Sequence, residues 1–219
     1  MNRLTEWLLD LLYPPKCAFC RKLVRDGRML CPECERKLPW AKPEESALCI
    51  PHLALCLSPL YYTEDVRKSL LRYKFHGAAA YCRIYGELMA ECLKRSDVQP
   101  DVVTWVPLSR QRLRKRGYDQ ARLLAEEVAK RLSLPCECMI EKIKHNPAQS
   151  GTGGPEARKR NVEGVYRAVT DCTGVHVLLV DDIVTTGATL SAAAGVLIAA
   201  GAAEVTGLTL ARASWEQGI

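Results

Sequence analysis

Aromatic residues are scarce in this 219-residue chain: Phe occurs twice, and the aromatic types together make up 6%. A base-stacking platform for nucleic acid has little to be built from, with Phe19 and Trp40 beside the cysteine-rich region as its material. Long apolar runs are missing too. The longest, about Ala192 to Ala203, is interrupted by Gly195 and Gly201 and falls short of the roughly 20 residues a bilayer requires. The N-terminal Trp7–Leu12 run is flanked by Glu6, contains Asp10 and has no small-residue cleavage site after it, which argues against a signal peptide. It reads as a short amphipathic helix stopped by Pro14 and Pro15. A cytoplasmic protein, not an integral membrane one, is the expectation. No G-x-x-x-x-G-K-[ST] loop occurs, and Gly151-Thr152-Gly153-Gly154 lacks the spacing and preceding strand of a dinucleotide fingerprint.

Cysteine, by contrast, is abundant: eleven residues, an odd number. In a reducing compartment this argues for metal binding plus buried thiols, not disulfides. Cys17-x-x-Cys20 and Cys31-x-x-Cys34 each bring two thiolates together, and two such pairs complete a tetrahedral Zn²⁺ site. Redox chemistry is the rival, although a single C-x-x-C after a strand would serve it. A closed four-sulfur site leaves no open position, so the zinc is expected to be structural, in a small treble-clef-like or ribbon module. Cys49, His52 and Cys56 lack this paired spacing and read as unliganded, partly buried residues. Cys82, Cys92, Cys136, Cys138 and Cys172 read as small hydrophobes.

Apolar residues make up 48% of the chain, enough for a sizeable core, and the formal charge of +6 suits an anionic ligand. From Pro59 onward strands and helices alternate. Strands are expected at Leu60–Tyr62, Val102–Val106, Val165–Val169, the run ending at Val180, and Glu204–Leu210. Helices are expected at Asp65–Lys74, Ala79–Arg95, Tyr118–Leu132 and up to about Ala200. The pattern predicts an α/β fold with a doubly wound parallel sheet, which binds ligands at its C-terminal strand ends. The expected division is a module of residues 1–58 and a sheet domain of residues 59–219.

One stretch carries the most chemistry. Val177-Leu178-Leu179-Val180 delivers Asp181 and Asp182 to a sheet edge, and Thr185-Thr186-Gly187-Ala188-Thr189 opens a helix. Paired carboxylates accept from vicinal sugar hydroxyls, and the turn offers N–H groups and hydroxyls to an anion. Together they describe a site for a phosphorylated ribose. Simple helix capping would need one acid or hydroxyl, not the whole string. The stretch resembles the signature of type I phosphoribosyltransferases, which use 5-phosphoribosyl-1-pyrophosphate (PRPP). That resemblance implies Asp181 and Asp182 on the ribose 2′- and 3′-hydroxyls. It implies Thr185, Thr186, Gly187, Ala188 and Thr189 on the 5′-phosphate.

Loss of pyrophosphate from PRPP leaves negative charge that Mg²⁺, amides, Arg or Lys can stabilise. The basic Arg110–Arg116 segment follows a strand, so Ser109, Arg110, Arg116, Asp119 and Gln120 are the expected pyrophosphate-facing residues; a solvated basic helix face is the plainer alternative. Gln149, Arg158 and Asn161 bracket a glycine-rich loop that could close over the ligand and exclude water.

Cysteine pairs, Tyr73-Lys74-Phe75-His76-Gly77, Val106-Pro107-Leu108-Ser109, Arg116-Gly117-Tyr118-Asp119-Gln120, Arg158 with Asn161-Val162-Glu163-Gly164, and the acid signature occur in that order. In this order and over nearly the whole chain they are similar to the ComF/GntX family of competence-associated, phosphoribosyltransferase-like proteins. Asp119 stands where the family usually has Asn. The resemblance implies a bacterial cytoplasmic protein linked to DNA uptake or the use of external DNA. An enzyme transferring phosphoribose to an unknown acceptor is one expectation. The other is a non-catalytic PRPP or nucleotide sensor, or an adaptor meeting single-stranded DNA or a DNA-translocating helicase. No glutaminase nucleophile begins the chain.

Overall fold

The computed structural model describes residues 15–24, 27–42, 49–143 and 164–213. The expected N-terminal helix at Trp7–Leu12 and the loop residues Gln149, Arg158 and Asn161 lie outside them.

A parallel sheet organises the molecule. Its central strand β6 (His176–Val184) lies between β3 (Val102–Trp105) and β7 (Glu204–Arg212). On the far side of β7 the chain pairs twice, through β1 (Leu55–Leu57) and then β2 (Leu60–Tyr61). The sheet thus begins at Leu55, three residues ahead of the division expected after residue 58. Val177 to Val180 are each 0% exposed, which is why β6 reads as a continuous apolar run. Alternation splits them between two cores. Leu178 and Val180 face α2 (Glu64–Phe75), α3 (Cys82–Lys94) and α5 (Gln120–Leu132); Val177 and Leu179 face α6 (Ala188–Ala199).

The strand expected at Val165–Val169 forms as β5 (Tyr166–Ala168), but outside the parallel sheet. It pairs antiparallel with β4 (Ile140–Lys142) as a two-stranded flap packed into the α6 core. The cysteine-rich module is joined to the other core. Cys17, Ala18, Phe19, Leu30 and Leu38 bury themselves with α2 and α3 residues, and the Phe19 ring meets Tyr85 edge-on at 5.9 Å. Helix α1 (Pro32–Lys37) belongs to this module.

Helices α3 and α5 cross at Gly86, where a Cβ would lie 2.6 Å from Cβ of Glu127. Alanine would gain about 1 kcal/mol of helix propensity there. It must also push the two helices apart, at a cost of about 1–3 kcal/mol. Gly86→Ala is therefore expected to lower the urea midpoint of unfolding, whereas Ala substitutions at exposed helix positions raise it or leave it unchanged. An unchanged midpoint would mean that the crossing has room to spare.

Candidate functional site

Strand β6 carries Asp181 and Asp182 beyond the fully buried Val177–Val180 run, toward its C-terminal end. Adjacent residues of a strand point to opposite faces. Asp182, 8% exposed, turns toward α2, where Lys74 Nζ lies 2.8 Å from Oδ1 and 2.7 Å from Oδ2. Asp181 lies toward the flap and influences Lys142 and Tyr166. Its Oδ1 accepts the Asp182 backbone N–H at 2.8 Å. Burial, and then the charge of Asp182, lifts the Asp181 carboxyl from 3.8 to about 8.

After Val184 the chain turns through Thr185, Thr186 and Gly187 into α6. Gly187 sits at φ 74°, a left-handed conformation that an L side chain resists, and a Cβ there would also strike Ile50 at 2.7 Å. Thr185, Thr186 and Thr189 are exposed around the first turn of a twelve-residue helix. The Ala188 N–H reaches the Thr186 hydroxyl at 3.5 Å, and a helix N-terminus flanked by hydroxyls suits an anion.

The basic segment is a short helix, α4 (Arg110–Arg116), bounded by two local devices. Ser109 caps it, with Oγ 3.4 Å from the Arg112 N–H, and Gly117 ends it in the left-handed conformation. Ser109 is thereby buried, at 5% exposure. Asp119 caps α5: its Oδ1 takes the Arg122 N–H at 3.3 Å and its Oδ2 the Leu108 N–H at 3.0 Å. Both jobs need an acceptor, so an acid serves here where a donor role would have favoured Asn. Gln120 is buried too, and its Oε1 accepts from Arg116 Nη1 at 2.7 Å. The Arg116 guanidinium lies over the Phe75 ring at 4.8 Å, and burial pulls its pKa down. Arg110 is exposed at the start of α4.

Lys74 belongs to none of the expected ligand groups, yet it is the cation in direct contact with the acid pair. Its partner lies 108 positions away, so no local pattern could mark it. Its membership of the Tyr73–Gly77 block was the available signal.

Away from the sheet edge, Cys17, Cys20, Cys31 and Cys34 bring their Sγ atoms within 4.8 Å of one another, with Cys20 and Cys31 at 3.6 Å. A tetrahedral zinc with bonds near 2.3 Å sets sulfurs about 3.8 Å apart, so the four thiols fit the ion. The first pair comes from a tight hairpin in which Cys17 N–H bonds Lys22 O at 2.9 Å and Ala18 N–H bonds Met29 O at 2.8 Å. The second pair comes from a helix start: Cys31 is the N-cap of α1, and its Sγ receives the Cys34 N–H at 3.4 Å. The first pair thus sits on a hairpin and the second at a helix start. Cys56 is buried on β1, Cys49 is exposed, and His52 Nδ1 lies 3.3 Å from Ser191 O on α6. Among the described residues these three take no part in the metal-ligating cluster. No helix among the described residues is long and apolar enough to cross a membrane.

Parallel sheet, acid pair and phosphate-type turn, with a four-cysteine module alongside, define a type I phosphoribosyltransferase fold carrying an N-terminal zinc module. Residues 119–216 match the phosphoribosyl transferase domain, and residues 8–50 match the double zinc ribbon domain. Among curated proteins the chain is 28% identical to the DNA utilization protein YhgH of Salmonella typhimurium strain LT2, over 86% of each. It is 30% identical to the competence protein ComFC of Bacillus subtilis strain 168, over 69% of this chain and 61% of that protein. Competence protein F of Haemophilus influenzae is 26% identical over 91% of this chain and 85% of its own length. The chain is thus similar to these proteins over most of its length. A solved glutamine PRPP amidotransferase from B. subtilis is similar over 63% of this chain and 30% of its own, with 23% identity and a TM-score of 0.43.

Two outcomes are expected. Intact protein should carry about one zinc per chain by elemental analysis. Cys31→Ser should lower that ratio and destabilise the module, since zinc supplies about 10–16 kcal/mol to the folding of small zinc peptides; a ratio near zero in the intact chain would reject the metal. For Asp181 the folded carboxyl holds its proton more tightly than the unfolded one. Its contribution is therefore full below pH 3.8 and is lost as pH rises toward about 8. The Oδ1 of Asn can still accept the Asp182 N–H. Asp181→Asn should therefore stabilise the ligand-free protein by about 1–3 kcal/mol at pH 8, with the gain vanishing near pH 4. A pH-independent difference in thermal midpoint would contradict this.

Proposed function

We propose that this protein binds PRPP with Mg²⁺ and transfers its phosphoribosyl group to an acceptor, in the service of DNA uptake or use. The observation that supports this best is the placement of Asp181 and Asp182 at the end of β6, directly before the left-handed Gly187 turn and α6. In this reading the two carboxylates accept from the ribose 2′- and 3′-hydroxyls. Thr185, Thr186, Gly187, Ala188 and Thr189 receive the 5′-phosphate at the helix N-terminus. Ser109, Arg110, Arg116, Asp119 and Gln120 form the pyrophosphate side, where arginine carries the charge while Ser109, Asp119 and Gln120 shape the turn. Gln149, Arg158 and Asn161 complete the site as a closing loop. Asp181 and Asp182 would offer a Mg²⁺ brought by PRPP the hard oxygen donors it prefers, and the ion would ease the departure of charge onto pyrophosphate.

The chemistry breaks the C1–O bond of PRPP, and the electron pair leaves on pyrophosphate. An acceptor lone pair then forms the new bond to C1. Preorganised cations lower the barrier by stabilising the leaving charge. Zinc takes no part, because four sulfurs close its coordination. The relatives' names speak of DNA utilization and competence. They favour a second reading in which the site senses PRPP or a nucleotide while the chain handles single-stranded DNA or meets a helicase. Both readings place the protein in the cytoplasm.

Calorimetry with PRPP and Mg²⁺ tests the shared premise. Joint Asp181→Ala and Asp182→Ala substitution should abolish binding, and an unchanged affinity would sink the site. Pyrophosphate release separates the readings. The enzyme should release it above background with some member of a panel of nucleobases and amines, and silence across the panel would leave the sensor.

A further inference from the structure

Lys74 reaches from the last turn of α2 across to the sheet and holds both oxygens of Asp182. The pair is largely sheltered, with side chains 19% and 11% exposed. Removing two charges from water is costly, and such pairs are weak grounds for stability. The surroundings of Lys74 point to another use. Tyr73, just before it, donates its hydroxyl to Gln120 O at 2.9 Å and accepts the Tyr118 hydroxyl on its own carbonyl. Phe75, just after it, lies beneath the Arg116 guanidinium. Three consecutive residues of α2 thus touch, in order, the Tyr118–Gln120 turn, Asp182 and Arg116. The Lys74 ammonium meets Asp182, while the next residue, Phe75, meets Arg116 of the basic segment. Among the described residues, no contact joins Lys74 to the Thr185–Thr189 turn.

We propose that Lys74 binds the pyrophosphate of PRPP and rests on Asp182 when the site is empty. The inference rests on the PRPP reading above. Ribose hydroxyls donate to Asp182, and the ammonium occupies the same oxygens. Pyrophosphate offers a denser negative charge, and a four-carbon stem lets the ammonium swing to it. Arg116, already poorly solvated, stands on the same side. Binding of the whole ligand therefore releases the acid for the sugar and supplies the cation to the leaving group in one movement.

The test compares PRPP with ribose 5-phosphate, which keeps the sugar and 5′-phosphate but lacks pyrophosphate. Titrations would use full-length zinc-loaded protein with Mg²⁺, as wild type, Lys74→Met and Lys74→Arg. Lys74→Met should weaken PRPP by about tenfold or more while ribose 5-phosphate holds or tightens, because Asp182 is no longer covered. Lys74→Arg should keep PRPP within about threefold, since the charge survives. Equal weakening of both ligands would make Lys74 a strut and overturn the inference, and so would undiminished PRPP binding by Lys74→Met. Wild type that binds neither ligand would overturn the PRPP reading itself, and this inference with it.

Discussion

Two carboxylates on consecutive residues of one buried strand repel each other, and the fold answers that repulsion differently on each face of the sheet. Strand alternation sends the side chains apart, which reduces the problem without removing it. Toward α2, Asp182 meets the Lys74 ammonium at 2.7 Å. Toward the flap, Asp181 has no cation in hydrogen-bonding contact among the described residues, and burial drives it to hold a proton. The two acids thus stand in different surroundings. That asymmetry sets what the surrounding elements must do.

Chief among those elements is α2, and it is fixed from the zinc side. Arg72 donates to the carbonyls of Ala18 and Phe19 at 2.8 and 2.7 Å, and Ser69 donates to the same Ala18 carbonyl. Ala18 and Phe19 lie between the first two zinc-site cysteines, so the hairpin that presents those sulfurs also presents its carbonyls to α2. Two residues beyond Arg72 comes Lys74. The metal module therefore does no chemistry at the sheet edge, but it orients the helix that reaches the acid pair. The connection on the other side is similar in kind. Ile50, just ahead of β1, packs against Gly187 and fills the space a side chain there would occupy.

What the sequence reveals of this arrangement follows the range of the forces involved. Cysteine spacing is local, so both thiol pairs could be read directly. The Val177–Val180 run is buried on both faces, so its apolar continuity announced a central parallel strand. Helices α2, α3 and α5 declared themselves through their periodicity. Strand β1 did not, because three residues after Pro51 carry no pattern of their own and become a strand only by pairing with Thr206–Leu208. The Tyr166–Ala168 strand was legible as a strand but not as part of a flap, since its partner lies across residues 143–165. In the site, the acids and the turn were legible because one continuous segment holds them. Lys74 was not, because its meaning arises only when α2 meets β6. Ser109 and Gln120 are each buried in a local hydrogen bond that charge counting does not show.

Asp182 meets a removable partner, the Lys74 ammonium, and burial favours the neutral form of Asp181. A sugar that brings two hydroxyls therefore exchanges partners instead of adding new ones. Net gains from such exchanges are small, about 0.5–1.5 kcal/mol per hydrogen bond. On the proposed reading, a diol held by the two acids gains position and little affinity. On that reading, strong binding has to come from the groups beside the acids, at the N-terminus of α6 and at Arg116. A ligand that carries anions at both ends and a diol between them matches that distribution, and a bare sugar does not. The order in which β6 supplies acids, turn and helix sets the spacing of two of those features, and the third depends on α2.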